Sequence, residues 1–336
     1  MAEPHEHPPL KPKDFASDQA VRWCPGCGDY AVLKTAQQAF AETGRARSEF
    51  AVISGIGCSS RFPYYLSTYG FHTIHGRAPS VALGLKVARP ELSVWVITGD
   101  GDSLSIGGNH TIHALRRNLD INFLLFNNRI YGLTKGQYSP TSELGKVTKS
   151  SPMGTVDHPF DPLSLALGAG ATFVARSVDV QAKPLKSVLL GAYHHKGTSF
   201  VEIYQNCPIF NDDAFAVITD KPVRTERQIE LEHGKPLVYG KKQEMALVLD
   251  RLRLRAVKRS DVSEAEILVH DTANREQAFL LAQMHWPEFP EPMGVFYQGQ
   301  RATYEDLLLD QVSQAQKSKK ADLTELVYGK NHWTVQ

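Results

Sequence analysis

Short apolar runs with almost no polar interruption recur through the first two thirds of the chain: FAVISGI at 50–56, SVWVIT at 93–98, INFLLF at 121–126, ATFVA at 171–175 and SFVEIY at 199–204. Runs of this length without polar alternation read as strands buried on both faces, the usual appearance of a parallel sheet in sequence. Between them, helical spacing of apolar positions predicts helices over 30–42, 79–88, 107–117, 162–168 and 181–194. Strand-helix alternation predicts an α/β fold, a doubly wound parallel sheet over about residues 20–210, with ligands beyond the carboxyl ends of the strands.

The pattern weakens outside that core. Residues 1–20, rich in proline, read as a flexible leader whose His5 and His7 lack carboxylate or thiolate support for a metal. The main domain is expected over 21–220, and 221–336 as a C-terminal extension packed on the core or on a partner subunit. Within the extension, KKQEMALVLDRLRLRAVKRS places Met245, Leu249, Leu252 and Ala256 on one helical stripe flanked by Lys and Arg. The reading is a basic amphipathic helix packed on the core. ILVHD at 267–271 reads as a strand, and KSKK at 317–320 as part of an exposed arm.

Composition narrows the function. Lys plus Arg number 37 against 36 Asp plus Glu, so no net field favours nucleic acid or an anionic membrane surface. No run approaches the roughly 18–20 apolar residues of a membrane span, and MAEPHEHPPLKPKDF lacks a signal-peptide core, so the expectation is a cytoplasmic protein. Four cysteines in 336 residues are too few for a disulfide-stapled domain, which points to metal binding or catalysis.

Two loops at predicted strand ends carry the sharpest chemistry. Gly99-Asp100-Gly101-Asp102 follows SVWVIT, and Asn127-Asn128-Arg129-Ile130-Tyr131-Gly132-Leu133-Thr134 follows INFLLF. Glycines let a backbone approach phosphate closely, and Asp and Asn supply the hard oxygen donors that Mg²⁺ takes. The pair Cys24 and Cys27, in VRWCPGCGDY, is compatible at this point with zinc, a redox disulfide or an iron-sulfur cluster.

GDG, then 25 residues, then NN resembles the diphosphate-binding motif of thiamine diphosphate enzymes. With WCPGCG, GIGCSS, HGRA and NCP in the same order, the chain resembles the β subunits of 2-oxoacid:ferredoxin oxidoreductases, most closely those acting on 2-oxoglutarate. FLLAQM and FPEPMGVFY extend the likeness loosely past residue 300.

The resemblance implies a thiamine diphosphate-binding fold. It implies Mg²⁺ held by Asp100, Asn128 and the Ile130 carbonyl, with Gly99, Gly101 and Asp102 shaping the loop and Thr134 donating to phosphate. Gly57, Ser59, His75, Gly76, Arg77, Gly132 and Leu133 should lie near the cofactor. Cys24, Cys27, Cys58 and Cys207 should ligate one 4Fe-4S cluster. The second pair expected of a zinc site is absent from the sequence, and no strand pattern precedes Cys24 as a thioredoxin-like motif would need.

The same likeness implies oxidative decarboxylation of a 2-oxoacid with coenzyme A, or the reverse carboxylation, with electrons passing to ferredoxin. The glutamate that activates thiamine diphosphate is expected from an α subunit, in an αβ or (αβ)₂ assembly, and no catalytic side chain is assigned to this chain. Arg61 is the expected partner of a distal substrate carboxylate, with Leu133 a second substrate contact. A pyruvate or branched-chain member, or a non-catalytic iron-sulfur electron-transfer subunit, is the alternative.

Overall fold

Buried strands need apolar side chains on both faces, and the eight-stranded sheet at the centre of the molecule shows where each set goes. The computed structural model describes residues 9–318, 322–329, 331–333 and 335. The sheet contains β1 (Phe50–Ser54), β2 (Tyr69–His72), β3 (Ser93–Gly99), β4 (Ile121–Asn127), β5 (Phe173–Val178), β6 (Ser199–Tyr204), β7 (Gln228–Leu231) and β11 (Glu291–Gln298). Its order is β2-β1-β3-β4-β6-β5-β11-β7, and every neighbouring pair is parallel except β11 with β5.

Helices α1 (Asp29–Glu42), α2 (Ala78–Ala88), α3 (Gly108–Arg117), α4 (Pro162–Gly168) and α5 (Ala182–His194) cover the two faces. Alternation along β4 sends Phe123 and Leu125 into the core beneath α3 and α4, and Leu124 and Phe126 into the core beneath α1 and α5. The doubly wound α/β fold expected from the sequence is the fold observed. Among the described residues, no helix is long and apolar enough to cross a membrane.

Several expectations need correction. The helix expected across KKQEMALVLDRLRLRAVKRS is an antiparallel hairpin of β9 (Met245–Asp250) and β10 (Arg253–Lys258), joined on the other side of β9 by β8 (Val238–Tyr239). Arg251 at the bend takes φ +58°, and RLRA in β10 alternates by twos, a strand period that the helical stripe masked. Residues 267–271 do not form a strand; they make single bridges, Ile267 to Val248 and Val269 to Pro236. The extension does more than pack on the core, because β7 and β11 are strands of the main sheet.

The leader is not flexible throughout. Pro12–Phe15 forms a 3-10 helix, and Phe15, fully buried, meets Phe40 and Phe50 edge-on at 5.9 and 5.6 Å. His5 and His7 lie outside the described residues, as do positions 319 and 320 of KSKK. The strand expected at 171–175 runs on through Arg176 and Ser177, whose polarity closes the apolar run in sequence.

Arg176 is kept in the sheet by charge. Fully buried, it donates from Nε to Glu202 (2.7 Å) and from Nη1 to Glu291 at the start of β11 (2.7 Å), and Tyr204 donates to the same Glu291 oxygen (2.7 Å). Burial alone would raise the Glu291 carboxyl, but the guanidinium beside it overrides that and holds it near about 2, against an ordinary 4.5. The pairing therefore contributes fully above the ordinary value and is lost as pH falls toward about 2. Glu291→Gln should cost about 3–5 kcal/mol at neutral pH, by stranding part of a buried charge, and should flatten the acid limb of stability below pH 4.5. Urea denaturation across that pH range checks both, and unchanged stability at pH 7 would show that the network carries no such weight.

Candidate functional site

The carboxyl edge of β1, β3, β4 and β6 gathers the loops singled out from the sequence. Asp102, 2% exposed, lies at their junction. Its Oδ1 accepts from the backbone N–H groups of Ile56 (3.1 Å) and Gly76 (2.6 Å) and bonds His75 Nδ1 (2.5 Å), while Oδ2 accepts from Thr98 Oγ1 (2.6 Å). One carboxylate thus ties the end of β1, the His75-Gly76-Arg77 turn and the end of β3 together. A Cβ on Gly55 would come within 1.7 Å of Asp102 Oδ2, so the missing side chain is what admits the carboxylate.

Gly76 sits at φ +71°, where a Cβ would meet the Gly107 backbone nitrogen at 2.6 Å, so this turn packs directly on the chain leaving GDGD. That chain makes one π turn, Asp102–Ile106, before α3 begins. Arg77 is bound to carbonyls, at 3.1 Å to that of Ile106 and 3.4 Å to those of His75 and Gly76. His75 keeps about a third of its side chain exposed, with its ring 6.4 Å from that of Tyr131 in the neighbouring loop.

Asp100 is buried, and its Oδ2 accepts from Ser139 Oγ (2.5 Å) and Thr141 Oγ1 (2.5 Å). Burial pushes its carboxyl up to about 6 despite these hydroxyls. Thr141 also lies 2.9 Å from the amide oxygen of Asn127, whose Nδ2 donates to Glu202 (2.7 Å). Asn128 turns Nδ2 toward Gln205 (2.9 Å) and accepts the Ile130 N–H on Oδ1 (3.2 Å). Tyr131 Oη donates to the Gly101 carbonyl (3.0 Å), joining the two loops. Gly99 and Ser59 lie side by side: a Cβ at Gly99 would be 3.8 Å from Ser59 Oγ. Leu133 is 43% exposed, and Thr134, also exposed, bonds its hydroxyl to the Gln137 side chain.

The cysteines converge on the same rim. Cys24 and Cys27 lie on a turn closed by the Cys27 N–H to Cys24 carbonyl bond (3.1 Å), and Trp23 Nε1 donates to the Cys58 carbonyl (2.7 Å). A Cβ on Gly132 would be 3.4 Å from Cys207 Sγ and 3.8 Å from Cys58 Sγ, so this glycine leaves space between two thiols. Burial first, then Asp29, pushes the Cys58 thiol up to about 12, with Cys207 and Cys24 adding to it. Cys27 rises for the same two reasons, with Cys58 and Cys207 adding to it.

A pocket that penalises bare thiolates this strongly suits thiolates bound to cations, which invert the local electrostatics. Among the described residues, no group of three or more His, Cys, Asp or Glu side chains is placed to hold a single metal ion. Arg61, half-buried, donates to the Arg22 carbonyl (3.1 Å), and its charge favours the Cys58 thiolate. Gly57, at φ +142°, precedes Cys58 in the turn leaving β1.

Sequence reading missed Ser139, Thr141, Gln205 and Asp29. The first two lie in SPTS, an ordinary-looking loop string, and Gln205 differs from other glutamines only in following a buried strand. Asp29 opens α1 directly after CPGCG, yet it is 1% exposed and burial pushes it up to about 7.

Residues 55–203 match the family model described as thiamine pyrophosphate enzyme, C-terminal TPP binding domain. A 2-oxoglutarate oxidoreductase subunit KorB of Mycobacterium tuberculosis is 54% identical over 97% of this chain and 89% of its own length. The β subunit of 2-oxoacid:ferredoxin oxidoreductase 1 of Aeropyrum pernix is 46% identical over 56% of this chain and 60% of its own length. Among solved structures, a 2-oxoglutarate:ferredoxin oxidoreductase from Magnetococcus marinus, with 2-oxoglutarate, coenzyme A and succinyl-CoA bound, aligns with a TM-score of 0.78 at 34% identity, covering 96% of this chain and 97% of that one.

The Asp102 junction yields a direct test. Gly55→Ala should expel the carboxylate and leave buried N–H groups unpaired, lowering stability by at least about 2 kcal/mol. Asp102→Asn, which keeps one acceptor oxygen, should cost less. Thermal unfolding of the two variants beside the wild type checks the order, and equal melting temperatures for all three would contradict it.

Proposed function

The chain belongs to the β subunits of the 2-oxoacid:ferredoxin oxidoreductases, and from that premise we propose that it forms the thiamine diphosphate-binding half of a 2-oxoglutarate:ferredoxin oxidoreductase. The reaction is conversion of 2-oxoglutarate and coenzyme A to succinyl-CoA and CO₂ with reduction of ferredoxin, or its reverse. The observation that carries the reading is the meeting, on one sheet edge, of the Asp100 and Asn128 loops with the Cys27, Cys58 and Cys207 thiols.

Thiamine diphosphate, when bound, supplies the carbon nucleophile and the electron sink for loss of CO₂. The chain's own residues hold and orient it. Asp100, Asn128 and the Ile130 carbonyl would hold the Mg²⁺ that would neutralise the charge of its diphosphate. The two hydroxyls on Asp100 Oδ2 fit that role, because they fix the carboxylate and leave its other oxygen for the cation. The backbone of Gly99 would allow close approach, Gly101 admits the Tyr131 ring, which a Cβ there would meet at 2.2 Å, and Thr134 would donate to phosphate once its bond to Gln137 is exchanged. His75, held by Asp102 through Nδ1, would have its other ring nitrogen for a contact with the cofactor.

Cys24, Cys27, Cys58 and Cys207 would hold one 4Fe-4S cluster. A cubane bonds each thiolate to a different iron, so its ligands stand further apart than those of a single ion. The space at Gly132 between Cys58 and Cys207 supports that spacing. Arg61 pairs with the distal carboxylate of 2-oxoglutarate in this reading, with Leu133 as an apolar contact. An α subunit contributes the activating glutamate in an αβ or (αβ)₂ assembly, ferredoxin takes the electrons, and the setting is the cytoplasm.

Anaerobic co-purification with the α subunit, followed by assay of 2-oxoacids with coenzyme A and ferredoxin, tests the function. The pair should turn over 2-oxoglutarate, and this chain alone should show little activity; robust turnover without a partner would contradict the shared site. Cys24→Ser should lose cluster iron while still retaining Mg²⁺ and thiamine diphosphate, as read by iron and cofactor content. Arg61→Ala should lower kcat/KM for 2-oxoglutarate relative to pyruvate roughly ten- to a hundredfold, the worth of one charge-assisted bond. An unchanged ratio removes Arg61 from the substrate site.

A further inference from the structure

Gln205, the residue after β6, is 1% exposed and touches both halves of the proposed site. Its Oε1 accepts from Asn128 Nδ2 (2.9 Å), and its Nε2 donates to Cys27 Sγ (3.3 Å) and to the Asn206 carbonyl. A carbonyl only accepts, so the Asn206 contact fixes the amide: nitrogen toward the sulfur, oxygen toward Asn128. The Gln205 backbone N–H donates to the Asn127 carbonyl (2.9 Å), which pins the residue to the end of β4. A Cβ on Gly28 would come within 1.8 Å of Asp179 Oδ2 and 3.0 Å of Gln205 Cγ, so the glycine after Cys27 makes room first for the Asp179 carboxylate and then for this side chain.

We propose that Gln205 is a positioning residue that couples the two centres: its N–H bond to Cys27 raises the potential of the cluster, and its oxygen aims the Asn128 amide at the cation. The inference rests on the cluster and Mg²⁺ reading above. An N–H donor to a cluster sulfur stabilises the more negative reduced state more than the oxidised one. At the other end, holding Asn128 Nδ2 turns Asn128 Oδ1 the opposite way, toward the Ile130 N–H and the cation site. The backbone N–H of Asp29 also favours the Cys27 thiolate, so Gln205 acts on this sulfur as a side-chain donor beside a backbone one.

The test uses the assembled αβ protein, prepared anaerobically. Gln205→Met keeps the side-chain length and removes both hydrogen bonds. With full iron content, its cluster should titrate, by dye-mediated potentiometry followed by electron paramagnetic resonance, at a more negative potential by at least a tenfold change in the one-electron equilibrium, 59 mV. Mg²⁺-dependent retention of thiamine diphosphate in equilibrium dialysis should weaken by about 10- to 100-fold. Gln205→Glu keeps the acceptor for Asn128 without the donor to sulfur, so it should retain the cofactor as wild type does while its potential stays low.

An unchanged midpoint in an iron-replete variant overturns the donor role, and unchanged retention in Gln205→Met overturns the coupling. If Gln205→Met fails to fold, the midpoint of Gln205→Leu, which removes both bonds without adding charge, decides. Wild-type protein that carries no iron at all overturns the cluster reading itself, a different result from a cluster that is present and insensitive to Gln205.

Discussion

A buried carboxylate that is fully hydrogen-bonded can join segments that have no other reason to meet, because each N–H it releases would be left unpaired away from water. Asp102 is that group here. It accepts from Ile56 and Gly76 of the backbone, from the Thr98 hydroxyl and from the His75 ring, and so sets the relative positions of the loops after β1, β2 and β3. Asp100, two residues earlier, can then face the second loop, where Ser139 and Thr141 meet it. The alternation GDGD divides the labour: Asp102 holds the loops together, while Asp100, met by Ser139 and Thr141, would face the ligand in the proposed site.

A second line of support runs from the far side of the sheet. Glu202 joins Arg176 to Asn127, Asn127 meets Thr141, and Thr141 meets Asp100. Arg176 is in turn held by Glu291 of β11, so the C-terminal extension reaches the diphosphate loops through buried hydrogen bonds. Paired buried charges of this kind specify geometry more than they add stability. The arrangement gives the extension a part in the site without supplying a ligand to it.

The function follows from nearness. Loops that would hold a diphosphate and thiols that would hold a cluster are joined by one amide, Gln205, at the end of β6. An electron leaving the cofactor would cross only the width of a few side chains to reach the thiols. In the proposed enzyme this chain would place the relay beside the centre that feeds it, and a partner would supply the other half of the cofactor site.

Much of this was legible in the chain itself. Five of the sheet's strands and five helices showed in the apolar pattern, because strands buried on both faces leave an unbroken hydrophobic run and surface helices leave a stripe. The loops with Asp100, Asn128 and the cysteines stood out because short spacing and special residue types are local properties.

Pairing is not local. RLRLRAVKRS carried both a helical stripe and a strand alternation, and only partners in β8 and β9 made it a hairpin. Phe15 looked like part of a loose leader until Phe40 and Phe50 closed around it. Ser139, Thr141 and Gln205 are ordinary residues whose roles come from what the fold sets beside them. The sequence by itself determined which strands and loops exist and which chemistry their ends can offer. The tertiary structure alone decided which hydroxyl faces Asp100 and which amide joins Asn128 to Cys27, because hydrogen bonds between distant segments depend on side-chain positions that no spacing along the chain encodes.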